Sequence, residues 1–283
     1  MQRIINEMPV SYRKMHGTGN KILVVDQRGE NSPPPNAEKL CELGDEKTGP
    51  GFDQLMWVFP ASDSSIVAAY RVFNADGSEV EQCGNGVRCV AKYLVDIDAA
   101  SGEFVLQSPA GSITAEVFSD GMVAVSMGSP VFDPQEIPFV AEALADSYTL
   151  NVDGKNIQVS AVSMGNPHCV ISVDDVATAP VDELGPKIGH HERFPELTNV
   201  GFMHRRDQSH IDLRVFERGV GETAACGTGA CAAVVSGQRL GRLDEQVSVR
   251  LPGGQVVVSW RGGAAPVWLK GNAELINQGT MDL

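Results

Sequence analysis

The sequence is poor in positive charge: 22 Lys and Arg residues stand against 36 Asp and Glu residues, for a formal net charge of −14. A surface that binds nucleic acid or an anionic membrane needs clustered basic side chains, so this composition argues against both partners. The first residues, Met1–Glu7, contain no apolar run of the length that a signal peptide or a membrane span requires. The sequence therefore predicts a cytoplasmic protein.

Cysteine is also scarce, with six residues in a chain of 283. A chain of this length does not depend on a disulfide scaffold, and four of the six cysteines fall in two short glycine-rich segments. Hydrophobic residues make up 42% and charged residues 20% of the chain, which is typical of a globular protein with a substantial core. The length suits two domains of about 140 residues each.

The chain contains an internal repeat. In both copies Arg-Val-Phe is followed by a glutamate six residues after the Phe and by Cys-Gly-x-Gly ten residues after it. Agreement of so many residues in one register indicates a duplication. The matching residues are Arg71–Phe73, Glu79 and Cys83–Gly86 in the first copy, and Arg214–Phe216, Glu222 and Cys226–Gly229 in the second.

Each half has the same predicted order of elements: short strands, the Cys-Gly-x-Gly turn, one apolar helix and more short strands. Apolar residues at helical spacing predict a helix from Cys83 to about Asp96, and 230–240 reads as its counterpart. Shorter helices are predicted over 37–45, with Asn36 as N-cap, and over 181–188. The chain is predicted to end in a strand over 266–276. We expect an α+β fold of two pseudo-symmetric domains, each a sheet or barrel around a central helix, with the active site in the cleft between them.

The two cysteines of the repeat stand at predicted helix N-termini. Such a position favours a thiolate, the reactive form of the side chain, and the glycines that follow let backbone N–H groups approach an anion. Two such turns, related by the repeat, would place Cys83 and Cys226 on opposite sides of one ligand. One thiolate would remove a proton from a carbon atom while the other thiol delivers a proton to the opposite face.

The cysteines are also open to two simpler interpretations. A single cysteine before glycine is usually a small core residue, and a core position is what we expect for Cys41, Cys89, Cys169 and Cys231. A metal site is the second possibility, although the spacings Cys-x5-Cys and Cys-x4-Cys are not those of the common short zinc motifs. Such a site would use Cys83, Cys89, Cys226, Cys231 and His168.

Taken together, the motifs resemble those of the diaminopimelate epimerases, and they run through most of the chain. The best domain boundary is the Pro-rich stretch 128–138. By analogy with the family the last strand returns to the first domain, which gives domains 1–127 plus 272–283 and 128–271. The motifs that carry the resemblance are Lys14–Asn20, Gly51–Gln54, Phe73–Glu79, Cys83–Gly86, Met164–His168, Asn199-Val200 and Glu217–Cys231.

The resemblance implies an isomerase of lysine and peptidoglycan-precursor biosynthesis that interconverts LL- and meso-diaminopimelate without a cofactor or metal. It implies a cytoplasmic homodimer with a small-molecule substrate. Glu217 and Arg218 would bind the distal ammonium and carboxylate of the substrate, since a zwitterion needs one anion and one bidentate cation. The implied catalytic residues are Cys83, Cys226, His168 and Glu217. The implied substrate-binding residues are Asn20, Gln54, Asn74, Gly84, Asn85, Asn166, Asn199, Glu217, Arg218, Gly227 and Thr228.

The sequence departs from the family pattern in three places. Lys21-Ile22 stands where Asp-Phe is usual, Trp268 stands where a Tyr or Phe associated with dimer contact is common, and residues 1–11 extend beyond the usual start.

Three rival functions remain open at this point. A two-thiol racemase of another amino acid, such as proline, would have no distal zwitterion for Glu217 and Arg218 to bind. A metal-binding or thiol-redox protein would use the same cysteines for different chemistry. A pyridoxal phosphate enzyme would need a buried lysine for its Schiff base.

Overall fold

The computed structural model describes residues 9–30, 32–80 and 83–283. Two compact units make up the chain: the first contains the residues up to Val125 together with Asn272–Leu283, and the second contains Ser126–Gly271. Most of the predicted N-terminal extension, residues 1–11, lies outside the described residues. In the part that the structure describes, none of the helices combines the length and the apolar character needed to cross a membrane.

The helices and strands alternate in the same way in both halves of the chain. The first half contains β1 (Val10–Gly17), β2 (Asn20–Asp26), α1 (Ala37–Gly44), β3 (Gln54–Phe59), β4 (Ala68–Asn74), β5 (Glu79–Val80), α2 (Gly84–Asp96), β6 (Glu103–Ser108), β7 (Gly111–Val117) and β8 (Val123–Ser126). The second half contains β9 (Tyr148–Val152), β10 (Lys155–Ser163), β11 (Pro167–Ser172), α3 (Val181–Gly189), β12 (Asn199–Arg205), β13 (His210–Glu217), β14 (Gly221–Thr223), α4 (Gly227–Arg239), β15 (Gln246–Leu251), β16 (Gly254–Ser259), β17 (Trp268–Gly271) and β18 (Glu274–Met281).

Strand pairing confirms the predicted duplication. In the first unit the paired strands run in the order β18, β1, β2, β3, β4, β6, β7, β8. In the second unit the order is β9, β10, β11, β12, β13, β15, β16, β17. The parallel pairs also correspond, β2–β3 and β4–β6 in one unit and β11–β12 and β13–β15 in the other. The strand β18, at the end of the chain, therefore takes the position in the first unit that β9 takes in the second.

Each unit packs its strands around one apolar helix, as expected for the predicted α+β fold. α2 packs against β1, β2, β3 and β7, and α4 packs against β10, β11, β12 and β16. Every residue from Gly229 to Gly237 of α4 is buried, and so is every residue from Gly84 to Ala91 of α2. A helix that is buried on all sides belongs to a core, which explains the small and apolar residues of both segments.

The outer helix α1 confirms one prediction and corrects another. Asn36 caps it as predicted, because its side-chain oxygen accepts a hydrogen bond from the Lys39 N–H at 2.9 Å. The helix turns Leu40 and Leu43 toward the core. Cys41 on the same helix is exposed, so our prediction of a core position for it is wrong.

The predicted strand over 266–276 is also wrong as a single element, because the chain forms β17 and β18 with a break at Asn272 and Ala273. The Asn272 side chain accepts a hydrogen bond from the Thr18 N–H at 3.0 Å, and this contact between distant parts of the chain fixes the break. Strand β9 was not predicted, although its residues alternate between buried and exposed.

Two departures from the family pattern fall on ordered strands. On β2, Lys21 forms an ion pair with Glu46 at 2.7 Å, and its backbone N–H donates to the Asp53 carboxylate at 2.7 Å. On β17, Trp268 lies opposite Ser259 of β16 and is half-buried.

Candidate active site

The first predicted catalytic thiol caps helix α2. Cys83 has the extended backbone of an N-cap residue (φ −141°, ψ 110°), and its Sγ accepts a hydrogen bond from the Gly86 N–H at 3.3 Å. A hydrogen bond from a helix N-terminus stabilises negative charge on the sulfur. A Cβ at Gly86 would lie 2.4 Å from the Met56 Sδ on β3, so a larger residue here would force the buried Met56 side chain to shift.

The second thiol occupies the same place before α4. Cys226 is the N-cap residue (φ −112°, ψ 109°), and its Sγ donates a hydrogen bond to Glu217 Oε2 at 3.1 Å. The Thr228 hydroxyl lies 3.5 Å from the sulfur. A Cβ at Gly229 would lie 2.9 Å from a methyl group of Val215 and 3.3 Å from the Cys226 Sγ, so this glycine too is required by close packing.

The surroundings of Cys226 favour its protonated form. Burial raises the pKa of the Cys226 thiol well above its usual value, and the negative charge of Glu217 raises it further. Hydrogen bonds from Thr228 and from the Gly229 N–H lower the pKa but do not offset the burial. At neutral pH, Cys226 is therefore a thiol that holds its proton against a carboxylate.

Three of the predicted binding residues of the first unit form a row of amides. The Asn20 amide donates to Gln54 Oε1 at 3.4 Å, and the Gln54 amide donates to Asn74 Oδ1 at 3.0 Å. The Asn74 amide in turn donates to the Ser78 hydroxyl at 3.0 Å. The strand register produces this row, because Gln54 at the start of β3 lies opposite Asn74 at the end of β4. These side chains hold one another in fixed orientations at one edge of the sheet.

A fourth predicted binding residue, Asn85, is held by an arginine that the sequence pattern did not single out. Arg88 is fully buried on α2, and its Nη2 donates to Asn85 Oδ1 and to the Thr18 hydroxyl, each at 2.9 Å. Its Nη1 donates to the Gly84 carbonyl at 3.1 Å. Arginine is usually exposed, so the only signal for this position is that it falls within the apolar stretch of α2.

In the second unit His168 is a neutral, buried side chain. Burial lowers the pKa of His168 to about 3, with a further contribution from the positive charge of Arg218. Its Nε2 lies 2.9 Å from Asn166 Oδ1, an atom that only accepts, so the ring proton is on Nε2. The structure thus brings together His168 and Asn166, two of the predicted site residues.

Asn199 connects the start of β11 to the end of β13. Its amide donates to the Pro167 carbonyl at 3.2 Å, and its Oδ1 accepts from the Arg218 N–H at 2.9 Å. The Arg218 side chain is exposed, and one of its amino groups donates to the Glu196 carbonyl at 2.9 Å.

The Glu217 carboxylate faces the Cys226 thiol. Its two oxygens accept hydrogen bonds from Thr223 and from Cys226. Thr223 is a second residue that the sequence pattern did not single out.

The shared spacing inside the repeat has a structural cause. Arg71 and Glu79 form a two-pronged ion pair across the β4–β5 hairpin, with both N–O distances 2.7 Å. Arg214 and Glu222 form the same pair across β13 and β14, with distances of 2.6 and 2.7 Å. Each ion pair crosses the hairpin that precedes the Cys-Gly-x-Gly turn, so the two halves share this ion pair as well as the turn.

Three other cysteines behave as core residues. Cys89, Cys169 and Cys231 are fully buried, and burial raises the pKa of Cys89 to about 12. Within residues 9–30, 32–80 and 83–283 no group of three or more His, Cys, Asp and Glu side chains is arranged to hold a metal ion. The side chains considered for a metal site, those of Cys83, Cys89, Cys226, Cys231 and His168, therefore form no such group in the part of the chain that is described.

Comparison with known proteins points to one family. The sequence model of the diaminopimelate epimerase family matches residues 12–132 and 160–276. A diaminopimelate epimerase from Stutzerimonas stutzeri (strain A1501) is 47% identical over 279 residues, which is 98% of this chain and 100% of that protein. One from Alkalilimnicola ehrlichii shows the same identity and coverage.

Solved structures with the same fold are more distant in sequence. A hydroxyproline epimerase from Agrobacterium vitis, solved with bound trans-4-hydroxy-L-proline, matches with a TM-score of 0.70 over 99% of this chain and 94% of that chain, at 16% identity. A probable proline racemase from Agrobacterium radiobacter matches with a TM-score of 0.68 over 97% of this chain and 93% of that one, also at 16% identity. At this identity the two structures bear on the fold alone. The family match and the full-length relatives decide the assignment: this chain belongs to the diaminopimelate epimerase family of isomerases.

Proposed function

We propose that this chain interconverts LL- and meso-diaminopimelate by inverting one α-carbon, with Cys83 and Cys226 as the two proton-transfer groups and without a cofactor or metal. In the cell this reaction would serve lysine and peptidoglycan-precursor biosynthesis. The single observation that carries the proposal is the hydrogen bond of 3.1 Å from the Cys226 thiol to the Glu217 carboxylate. The equivalent position in the first unit holds Cys83, which caps α2.

In this proposal the two thiols act on opposite faces of the same α-carbon. Following the family pattern, Cys226 accepts the α-proton in the direction from LL to meso, and Cys83 donates a proton to the other face. Cys226 must first lose its own proton, and Glu217 is the base in contact with it. Transfer of that proton to Glu217 leaves a thiolate, which then removes the α-proton of the substrate.

The helix N-termini are suited to the α-carboxylate of the substrate. We assign its binding to backbone N–H groups and side chains of Gly84 and Asn85 on α2 and of Gly227 and Thr228 on α4. Negative charge that spreads onto the carboxylate as the carbanion forms would be stabilised by these donors and by the helix dipoles. The hydrogen bond from Arg88 to Asn85 Oδ1 would keep the Asn85 side chain oriented for this task.

The far end of the substrate is assigned to Arg218 and to the fixed amides. An exposed guanidinium binds a carboxylate through two parallel hydrogen bonds, which makes Arg218 the natural anchor for the distal carboxylate. In this proposal neutral His168 acts by holding Asn166 in place. The amides that complete the binding surface are those of Asn20, Gln54, Asn74, Asn166 and Asn199.

We further propose that the enzyme is a cytoplasmic homodimer. Six cysteines in a chain of 283 residues do not form the dense pattern of a secreted disulfide scaffold, and such a composition suits a reducing compartment. On β18 the large apolar side chains of Leu275 and Ile276 are exposed to 52% and 46%, which suits a protein interface.

The test is incubation of the reduced, purified protein with LL-diaminopimelate in deuterated water, followed by chiral separation and mass spectrometry. We expect meso product with deuterium at the inverted α-carbon and no dependence on added pyridoxal phosphate. L-Proline and trans-4-hydroxy-L-proline serve as competing substrates and should not be inverted. Inversion of either of these in preference to diaminopimelate, or inversion that requires pyridoxal phosphate or a metal ion, would contradict the proposal.

A further inference from the structure

The Glu217 carboxylate is held from two sides. The Cys226 Sγ donates to Oε2, and the Thr223 hydroxyl donates to Oε1. A carboxylate that accepts a directed hydrogen bond at each oxygen cannot rotate freely about its Cγ–Cδ bond. Thr223 therefore fixes the direction in which Glu217 presents its second oxygen to the thiol.

The hairpin that carries both residues is well constrained. Glu217 is the last residue of β13 and Thr223 the last of β14, and the two strands pair with Val215 opposite Thr223 and Glu217 opposite Gly221. Because Thr223 pairs with a residue two positions before Glu217, the two side chains lie on the same face of the hairpin. Cys226 follows three residues later, so a short stretch of chain brings the hydroxyl, the carboxylate and the thiol together.

The first unit provides an internal comparison. In its hairpin Val80 lies opposite Val72, as Thr223 lies opposite Val215, and Asn74 takes the position of Glu217. In the first unit, the Asn74 amide is accompanied by Val80 on the short strand. In the second unit, the Glu217 carboxylate is accompanied by Thr223. Valine and threonine have nearly the same shape, so the hydroxyl is what distinguishes the two positions.

We propose that Thr223 is a positioning residue of the active site, whose hydroxyl holds the Glu217 carboxylate in contact with the Cys226 thiol. This inference rests on the proposed function, in which Cys226 acts through Glu217. In this proposal Thr223 acts through the Glu217 carboxylate and not on the substrate itself. Glu217 at the end of β13 raises the pKa of the Cys226 thiol, whereas hydrogen bonds from Thr228 and Gly229 on α4 lower it.

The matched variants are Thr223→Val, which keeps the shape and removes the hydroxyl, and Thr223→Ser, which keeps the hydroxyl. For Thr223→Val we expect kcat for diaminopimelate epimerisation to fall about 10- to 100-fold with KM changed by less than about threefold, because the substrate contacts remain. Thr223→Ser should keep kcat within about threefold of the wild type. Thr223→Ala serves as a second variant without the hydroxyl if Thr223→Val does not fold.

A second readout does not depend on turnover. The pH dependence of iodoacetamide labelling of Cys226, followed by mass spectrometry of its peptide, reports how strongly Glu217 opposes the thiolate. In Thr223→Val the carboxylate is free to turn away, so labelling should shift to lower pH, while Thr223→Ser should label as the wild type does.

The outcomes separate the two ideas. Wild-type kcat and wild-type labelling in Thr223→Val would overturn the role of Thr223 and leave the proposed function standing. An equal loss of kcat in the Val and Ser variants would also overturn it, since the hydroxyl would then not be the cause. If the wild type itself does not epimerise diaminopimelate, the proposed function fails, and the labelling shift still shows whether Thr223 holds Glu217 on the thiol.

Discussion

Replacing Arg88 by methionine should destabilise the first unit strongly. The change removes a buried guanidinium that donates to Asn85 Oδ1, to the Thr18 hydroxyl and to the carbonyls of Gly84 and Asn272. Asn85 and Thr18 are only 4% and 2% exposed, so water cannot replace the lost donor at these two side chains. An unsatisfied buried acceptor costs about 1–3 kcal/mol, which gives an expected loss of about 2–6 kcal/mol for the two side-chain acceptors.

The assay is equilibrium unfolding in urea, followed by circular dichroism, with Arg71→Met as the matched control. Arg71 is also an arginine of the first unit, but it forms an ion pair with Glu79 at the surface. The side chain of Arg71 is 40% exposed and that of Glu79 is 39% exposed. Exposed pairs of this kind contribute about 1 kcal/mol or less to the free energy of unfolding. Equal losses of stability in Arg88→Met and Arg71→Met would refute the reasoning, because burial would then make no difference to the cost.

Two further predictions concern the second unit. Glu217→Gln removes the negative charge beside Cys226 and so lowers the pKa of that thiol. Iodoacetamide labelling of Cys226 should therefore move to lower pH. The control is Glu222→Gln, which alters a carboxylate paired with Arg214 and should leave the labelling of Cys226 unchanged. Unchanged labelling in Glu217→Gln would show that burial alone sets the reactivity. Arg218→Ala should leave the distal carboxylate of diaminopimelate without its partner and reduce kcat/KM by a factor equivalent to about 2–4 kcal/mol of transition-state stabilisation. The loss of folding stability should be small, because the side chain is exposed. Wild-type kinetics in steady-state assays would exclude Arg218 as the distal anchor.

Local signals predicted most of the secondary structure, because the elements that matter here begin and end at residues with strong preferences. Asn36 marks the start of α1, and the Cys-Gly turns mark the starts of α2 and α4. The break between β17 and β18 could not be predicted, since it depends on the contact of Asn272 with Thr18, far away along the chain. The local sequence of polar and apolar residues does not indicate long-range hydrogen bonds of this kind.

The sequence pattern indicates candidate site residues, but it does not indicate the contacts among their side chains. The repeat identified Cys83 and Cys226, since identical residues at one spacing are visible in a sequence. That Glu217 turns to the thiol, and that Thr223 holds it there, depends on the register of the β13–β14 hairpin. The buried position of Arg88 depends on tertiary packing, which places the Asn85 Oδ1 and the Thr18 hydroxyl where they accept hydrogen bonds from its guanidinium.

Single cysteine variants test most directly whether two thiols act on one α-carbon. The measurement is α-deuterium and stereochemistry in LL- and meso-diaminopimelate recovered from Cys83→Ala and from Cys226→Ala in deuterated water. Loss of a positioned acid–base group should reduce epimerisation by at least about 10³-fold in each variant. The remaining thiol should still exchange the α-proton of one isomer with retention, and the exchanged isomer should differ between the two variants. Exchange of the same isomer by both variants, or efficient inversion by either, would contradict the two-thiol mechanism.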